Sequence, residues 1–432
     1  MDKVLCSREP WDSILGFNRP NGSSKTWNML EDGKLDYLHV ITEDMVQGMV
    51  VKKLWNYQHF TFWDSKDNFE DIEIHEIGNK NHIYPIRVQN HEYFKRNLNT
   101  GFSCVSPKVL VDVQEGRALI IIECTSEGKY FENPGTELKV IERWRIESKL
   151  PEFSITVLHG NLVADKIAKD WGVKLNVIPI STGFYGFFKL DEKYSKRDTI
   201  VDFKPLDSQK YFLSFNRAVR IHRILLGYKL WKSNLLTSGK ISLGFPHKSH
   251  NFSKVFPSNE FSHKEYEKLR SRGNILIDKP LDNNLAFDLN TELFENTFMS
   301  IITETYPDSN CIFFSEKIWK PISLGHPFLL LGNPYSLKKL KELGYKTFDR
   351  WLDESYDSEQ NLIKRTNMIV SETKKISRLP VSELVRIREE MKEVLIHNKN
   401  LYLDMLELHT APNGLTSPGA KEIVELYKNT FN

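Results

Sequence analysis

The sequence predicts an α/β protein: two doubly wound domains facing a cleft, with closing helices at the C-terminal end. Three observations carry this. Short apolar runs alternate with helical stretches of about 10–12 residues, the pattern of βαβ units and a parallel sheet. The alternation occurs twice, on either side of a polar stretch at 186–210 that reads as a linker. The length of 432 residues suits two or three domains at roughly 100–200 residues each. Domains are therefore expected over 1–200 and 210–360, followed by helices over 361–432.

Taken in order, residues 1–100 are rich in Asn, Trp, His and charge, with alternating pieces at Asp71–Ile77 and Ile83–Val88, and read as β-rich or irregular. The regular α/β pattern of the first domain spans 108–185. Val109–Val113 and Ala118–Ile122 are strand-like, and Glu137–Ser148 is helical. Phe153–Leu158 is a strand ending in His159-Gly160-Asn161; Leu162–Trp171 is a helix closed by Gly172, and Val173–Ile178 a further strand. The second series has strands at Tyr211–Ser214, Lys240–Leu243, Asn274–Ile277, Met299–Thr303 and Phe328–Leu331. Its helices are Val219–Trp231, Leu285–Glu295, Glu316–Leu324 and Ser336–Leu343, and two more close the chain over 358–377 and 381–406. Ligands of doubly wound sheets bind at the carboxyl ends of strands, which makes the cleft between domains the natural site.

Composition narrows the function classes. Hydrophobic residues make up 40% and charged residues 27%, an ordinary globular balance. With 59 Lys+Arg against 57 Asp+Glu, the net charge of +2 gives no global argument for nucleic acid. Apolar runs such as Ala118–Ile122 and Pro327–Leu331 fall far short of the roughly 20 residues a membrane span needs. The first residues carry acids and no apolar run, so no secretory leader is expected, and the chain reads as cytoplasmic. The four cysteines, Cys6, Cys104, Cys124 and Cys311, show no metal-binding or disulfide spacing.

Several motifs are missing. No Gly-x-Gly-x-x-Gly follows a strand, no P-loop sequence occurs, and Gly-x-Ser-x-Gly is absent. Asp-x-Asp is absent too, which disfavours a metal-bridged diphosphate site built on that dyad. A diphosphate would have to be met by Lys, Arg and backbone N–H groups.

Two clusters have that character. In Ser214-Phe215-Asn216-Arg217-Ala218-Val219-Arg220-Ile221-His222-Arg223 a strand passes into a helix, and three arginines and a histidine crowd the helix start. Cations there oppose the helix dipole. They suit an anion held by free N–H groups and guanidinium forks; the plainer explanation is a solvated basic turn. In Ser315-Glu316-Lys317-Ile318-Trp319 an acid and a lysine open a helix that runs through Gly325-His326-Pro327 into a buried strand. A carboxylate can accept two ribose hydroxyls and an ammonium can meet a diphosphate. A surface ion pair at a helix start is the alternative.

At these residues the chain resembles the α1,3-fucosyltransferase family. That family carries Tyr-x-Thr-Glu-Lys-Leu-Trp running to a small-residue turn, a proline and a strand ending in glycine. Phe313-Phe314-Ser315-Glu316-Lys317-Ile318-Trp319 through Pro327 and Gly332 follows the same design. Asn216 with Arg220 or Arg223 fits a second family feature, and Thr303-Glu304-Thr305 loosely matches its Phe-Glu-Asn. Phage-encoded and bacterial proteins of predicted glycosyltransferase type look closer still over Glu316–Asp357. The likeness covers about residues 210–360.

The resemblance implies two Rossmann-like domains of the GT-B type and a metal-independent, inverting glycosyltransferase. Its acceptor would be engaged by the N-terminal domain and its nucleotide sugar by the second. Lys317 with Arg220 or Arg223 would hold the diphosphate and Glu316 the ribose, and Phe313 would lie near the base. Asn216, Arg217, Glu304 and Ser315 would complete the donor site. Phe313 stands where the family has a tyrosine that helps recognise guanine, which leaves UDP- and GDP-linked donors both open. No separate cofactor is implied.

Inversion needs a carboxylate to deprotonate the acceptor hydroxyl. The family places it in a loop after an N-terminal-domain strand, which points to Glu127, with Glu123 as competitor; each also reads as a plain surface glutamate. His159 could line the cleft or cap its turn. Candidate acceptors are a glycan, a protein, or a hydroxymethylated base of phage DNA. For the last, Lys364 with Arg365, Lys374 with Lys375 and Arg386 with Arg388 could supply a basic face. A non-catalytic GT-B-like protein that binds nucleotide or nucleic acid is the alternative reading.

Overall fold

Every pairing between named strands is parallel, so each strand must be followed by a crossover rather than a hairpin. The computed structural model describes residues 4–8, 69–73, 76–87, 105, 107–125, 128–129, 131–180, 190–246, 256–257, 259–277, 289–307, 310–410 and 418–431. The chain divides into two units, residues 1–180 with 408–432, and residues 181–407, each with its own sheet. The α/β expectation holds for both.

The first unit carries β1 (Val4–Arg8), β2 (Phe69–Glu73), β3 (His82–Arg87), β4 (Ala118–Cys124), β5 (Ile155–His159) and β6 (Asn176–Pro179), in the order β2-β1-β3-β4-β5-β6. Its crossovers include α1 (Pro107–Gln114), α2 (Thr136–Glu147) and α3 (Ala164–Asp170). All seven residues of β4 are buried, as a strand covered on both faces requires. Ala118, Ile120, Ile122 and Cys124 pack with Val109 and Val113 of α1, Leu138, Ile141 and Trp144 of α2, and Ala164 and Ala168 of α3. Leu119 and Ile121 face the other way, onto Ile423 and Val424.

The second unit holds β7 (Phe212–Asn216), β8 (Lys240–Leu243), β9 (Met299–Thr303) and β10 (Phe328–Leu331), in the order β10-β9-β7-β8. Its helices are α4 (Ile221–Lys232), α5 (His263–Arg270), α6 (Thr291–Glu295), α7 (Glu316–Leu324), α8 (Ser336–Glu342), α9 (Leu362–Ile376) and α10 (Val381–Thr410). Trp319 is fully buried and fixes α7, its ring edge-on to Phe314 at 5.9 Å and stacked on Tyr402 of α10 at 6.5 Å. Buried cations tie α10 to the rest of the unit: Arg388 donates to the carbonyls of Val201 and Phe298, and Lys399 to that of Thr199.

Four expectations change. Val109–Val113 is helical, not a strand. Pro107 opens α1, and Val109 and Val113 are buried while Val111 between them is exposed. A crossover is also required here, between the parallel neighbours β3 and β4. Asn274–Ile277 forms only an isolated antiparallel bridge at Ile275. The 186–210 stretch is packed where described, with Tyr194 and Val201 in the core. The unit boundary lies at 180/181 rather than near 200–210, and α9 and α10 belong to the second unit. The last helix of the 361–432 stretch, α11 (Pro418–Phe431), returns to the first unit and covers the outer face of its sheet.

Because Ile423 is fully buried against β3, β4 and β5, Ile423→Ala should destabilise the first unit by about 2–5 kcal/mol. Native-state hydrogen exchange should show protection falling in β3–β5 and holding in β7–β10. Equal loss in both sheets would contradict this packing.

Candidate functional site

The winding of the second sheet sets a topological switch point, the place where ligands of such sheets bind. From β7 the chain passes to β8 on one side, and β9 lies on the other, so the carboxyl ends of β7 and β9 flank the point where strand order reverses. The ladder between them covers only Phe212–Met299 and Leu213–Ser300. Beyond it side chains take over. Ser214 Oγ donates to the Ile301 carbonyl at 2.8 Å, Asn216 Nδ2 to Ser214 Oγ at 2.8 Å, and Thr303 Oγ1 to Asn216 Oδ1 at 2.7 Å. All three residues are buried and bridge the diverging strand ends.

The β7–α4 turn lines one side. Arg220 occupies the N-cap in an extended conformation, and no side chain caps the first N–H groups of α4. The turn sits close over β8: a Cβ on Gly244 would lie 2.0 Å from the Arg217 carbonyl oxygen, so only glycine fits there. His222 is buried and its Nε2 bonds the Glu304 carbonyl at 2.8 Å, which makes that nitrogen the donor. Burial, then the neighbouring Arg223 charge, lowers its pKa to about 3.

Arg223 is the unusual group. It is 3% exposed, and its guanidinium donates only to the carbonyls of Ala218 at 3.3 Å and Thr303 at 3.4 Å, while Nε has no partner. Among the described residues no carboxylate bonds it. Burial, with Arg220 adding repulsion, lowers its pKa to about 10 against the attraction of Glu304 and Glu316.

On the facing side, Glu304 follows β9 and is buried. Its carboxylate accepts the Ser315 backbone N–H at 3.2 Å and the Ser315 hydroxyl at 2.6 Å. Burial raises its pKa, opposed by Lys317 and by these bonds. Ser315 is the N-cap of α7, its Oγ accepting from Lys317 N at 3.4 Å and from Lys317 Nζ at 3.3 Å. Lys317 Nζ also donates to Glu316 Oε1 at 2.6 Å. Burial alone would raise the Glu316 carboxyl, but the ammonium beside it holds it below its ordinary value.

Thus Asn216, Arg223, Glu304, Ser315, Glu316 and Lys317 meet at one pair of strand ends, with Arg217 and Arg220 on the turn above. Phe313, two residues before Ser315, is buried at 7% exposure. Of the two base candidates, Glu127 lies outside the described residues. Glu123 is the next-to-last residue of β4 in the first unit, 4% exposed, accepting the Thr125 hydroxyl at 2.7 Å. His159, at the end of β5, bonds Glu137 Oε1 at 2.8 Å and accepts the Asn161 N–H at 2.9 Å through Nδ1, so the imidazole is tied into the sheet edge. Sequence reading placed Glu137 only as a helix residue. Its partner lies 22 positions away, and the one available hint was Gly135 just ahead of it, whose N–H also bonds Oε1 at 2.9 Å.

The basic pairs on the closing helices separate. Arg365 and Arg388 are interior and donate to backbone carbonyls. Arg386 is paired with Glu383 and Glu390, and Lys375 with Glu372. Among the described residues no helix is long and apolar enough to cross a membrane.

No family model and no curated protein matches the chain. Among solved structures it is similar to the N-terminal domain of Candida albicans trehalose-6-phosphate phosphatase, at 9% identity and a TM-score of 0.36 over 90% of this chain and 88% of that one. A likeness at that level carries nothing about activity.

The buried histidines set an acid limit. His222, at about 3 when folded against 6.5 for the free side chain, stays neutral in the folded state while the unfolded chain takes up a proton. His326, fully buried between Thr297 and Ser300, is likewise held well below its ordinary value by burial. Stability should therefore be intact above pH 6.5 and fall toward pH 3, at up to about 1.4 kcal/mol per pH unit for each histidine. In urea titrations between pH 7 and 4, His222→Gln should flatten this dependence. A slope identical to wild type would contradict the assignment.

Proposed function

We propose that the protein is a metal-independent, inverting glycosyltransferase of the GT-B type. It would take a UDP- or GDP-linked sugar and transfer the sugar to an acceptor hydroxyl. The observation that carries this reading is Arg223, a buried guanidinium that no carboxylate of the described residues bonds, at the strand-end switch point and beside an uncapped helix start. A buried cation held only by long carbonyl bonds is costly unless an anion completes it. Arg220 and the first N–H groups of α4 converge on the same space, and Lys317 lies across the Glu304–Ser315 bridge. A diphosphate matches this donor set.

In this reading Arg220, Arg223 and Lys317 neutralise the leaving diphosphate, which otherwise would need a metal ion. Glu316, now paired with Lys317, turns to the ribose diol when the ammonium is drawn to phosphate. Glu304 positions rather than binds, since both its oxygens are engaged by Ser315. A carboxylate of the first unit, Glu127 or Glu123, takes the acceptor proton as the acceptor oxygen bonds the anomeric carbon and the diphosphate departs from the opposite face. A glycan acceptor is favoured over DNA, because Arg365 and Arg388 are interior and unavailable to a duplex.

One of UDP or GDP should raise the unfolding temperature, by mass action on the folded state. Arg220→Ala removes an exposed cation and should weaken that nucleotide about tenfold or more while leaving the unliganded melting temperature unchanged. Lys317→Ala should abolish measurable hydrolysis and transfer from the matching nucleotide sugar. No thermal shift with either nucleotide would overturn the proposal; binding without turnover of any UDP- or GDP-sugar would leave a nucleotide-binding protein instead.

A further inference from the structure

A nucleotide site needs a surface for the base as well as cations for its phosphates, and Phe313, at 7% exposure, offers little free ring face. The turn after β10 offers another aromatic. Tyr335 is 48% exposed, and no other described residue stacks on its ring or bonds its hydroxyl. It is the one exposed aromatic among the described residues of the second unit. Its backbone is left-handed, at φ 66° and ψ 18°. For a tyrosine that conformation is strained, and glycine would occupy it without cost.

The surroundings impose the strain. Tyr335 N donates to the Asp357 carbonyl at 2.6 Å, while the Asp357 carboxylate accepts the N–H groups of Leu337 at 2.8 Å and Lys338 at 3.1 Å. Gly332 lets the turn fold tightly, since a Cβ there would lie 2.9 Å from Ser336 Oγ. The same turn is joined to the candidate site. Asn333 Nδ2 donates to the carbonyls of Tyr306 and Cys311, both on the β9–α7 connection that carries Glu304 and Ser315. The Glu304 N–H in turn bonds the Leu331 carbonyl at 3.1 Å, at the end of β10. Tyr335 thus stands at the carboxyl edge of the sheet, next to the strand end that holds the Glu304–Ser315–Lys317 chain. A strained, solvent-facing, unpartnered ring serves no packing purpose, and strain of this kind collects at binding sites.

We infer that Tyr335 is the stacking platform for the nucleobase of the donor, a specificity-determining residue of the nucleotide site. This rests on the nucleotide-sugar reading above. Titration calorimetry on the full chain with UDP, GDP and inorganic pyrophosphate tests it. Tyr335→Ala should weaken the preferred nucleoside diphosphate by roughly five- to a hundredfold and leave pyrophosphate binding unchanged, and Tyr335→Trp should restore nucleotide affinity. Tyr335→Gly should lose nucleotide affinity in the same way with an unchanged or raised melting temperature, opposite to what a packing residue would show. Wild-type nucleotide affinity in Tyr335→Ala, or a parallel loss of pyrophosphate binding, would overturn the inference and leave the donor site standing. Wild-type protein that binds pyrophosphate but neither nucleotide would overturn both.

Discussion

The guanidinium of Arg223 is the constraint around which the second unit is arranged. It lies inside the protein, bonded to two carbonyls at long range, and it lowers the pKa of His222 beside it. Other buried cations of this unit are treated differently. Arg388 is drawn tightly to Val201 at 2.7 Å, and Arg365 is held by three carbonyls; both clamp chain segments together. Arg223 clamps little. It sits at the switch point of the sheet, where the β7–β9 ladder stops after two pairs.

Beyond the ladder the strand ends are joined by polar side-chain contacts. Ser214, Asn216 and Thr303 satisfy one another across the diverging strands, so the edge is rigid without apolar packing. Glu304 fixes the start of α7 through Ser315, and Trp319 anchors the same helix into the core one turn later. The ammonium of Lys317 is therefore carried on a helix whose start and body are both fixed. Such preorganisation is what electrostatic stabilisation of a leaving group demands. The first unit repeats the beginning of the same strand order, β2-β1-β3-β4, and gathers its own polar groups, Glu123, His159 and Glu137, at strand ends and the start of α2.

Much of the fold is visible in the residues because its strands are short apolar runs cut off by strong punctuation. β8, β9, β10 and α7 fall where the pattern puts them, the last bounded by Ser315 and Gly325. The Val-x-Val-x-Val pattern of α1 misleads, since alternation suits a strand and only Pro107 and the need for a crossover argue for a helix. The docking of α11 depends on Ile423 and Val424 meeting residues some 250–350 positions earlier, which no local pattern encodes. The two basic clusters stand out in sequence because cations at helix starts are locally unfavourable. What the residues do not show is that Glu304 supports Ser315, which depends on contacts made only after the β9–α7 connection has folded.

The state of Arg223 itself is the most direct point of attack. In proton–nitrogen correlation spectra of arginine side chains, the Arg223 Nε–H resonance, identified by its loss in Arg223→Lys, can be followed as inorganic pyrophosphate is added. A buried guanidinium awaiting an anion should show a saturable shift of that resonance, complete at stoichiometric binding. A resonance that stays fixed while pyrophosphate binds the protein would mean that Arg223 is one more structural clamp and that the anion site lies elsewhere.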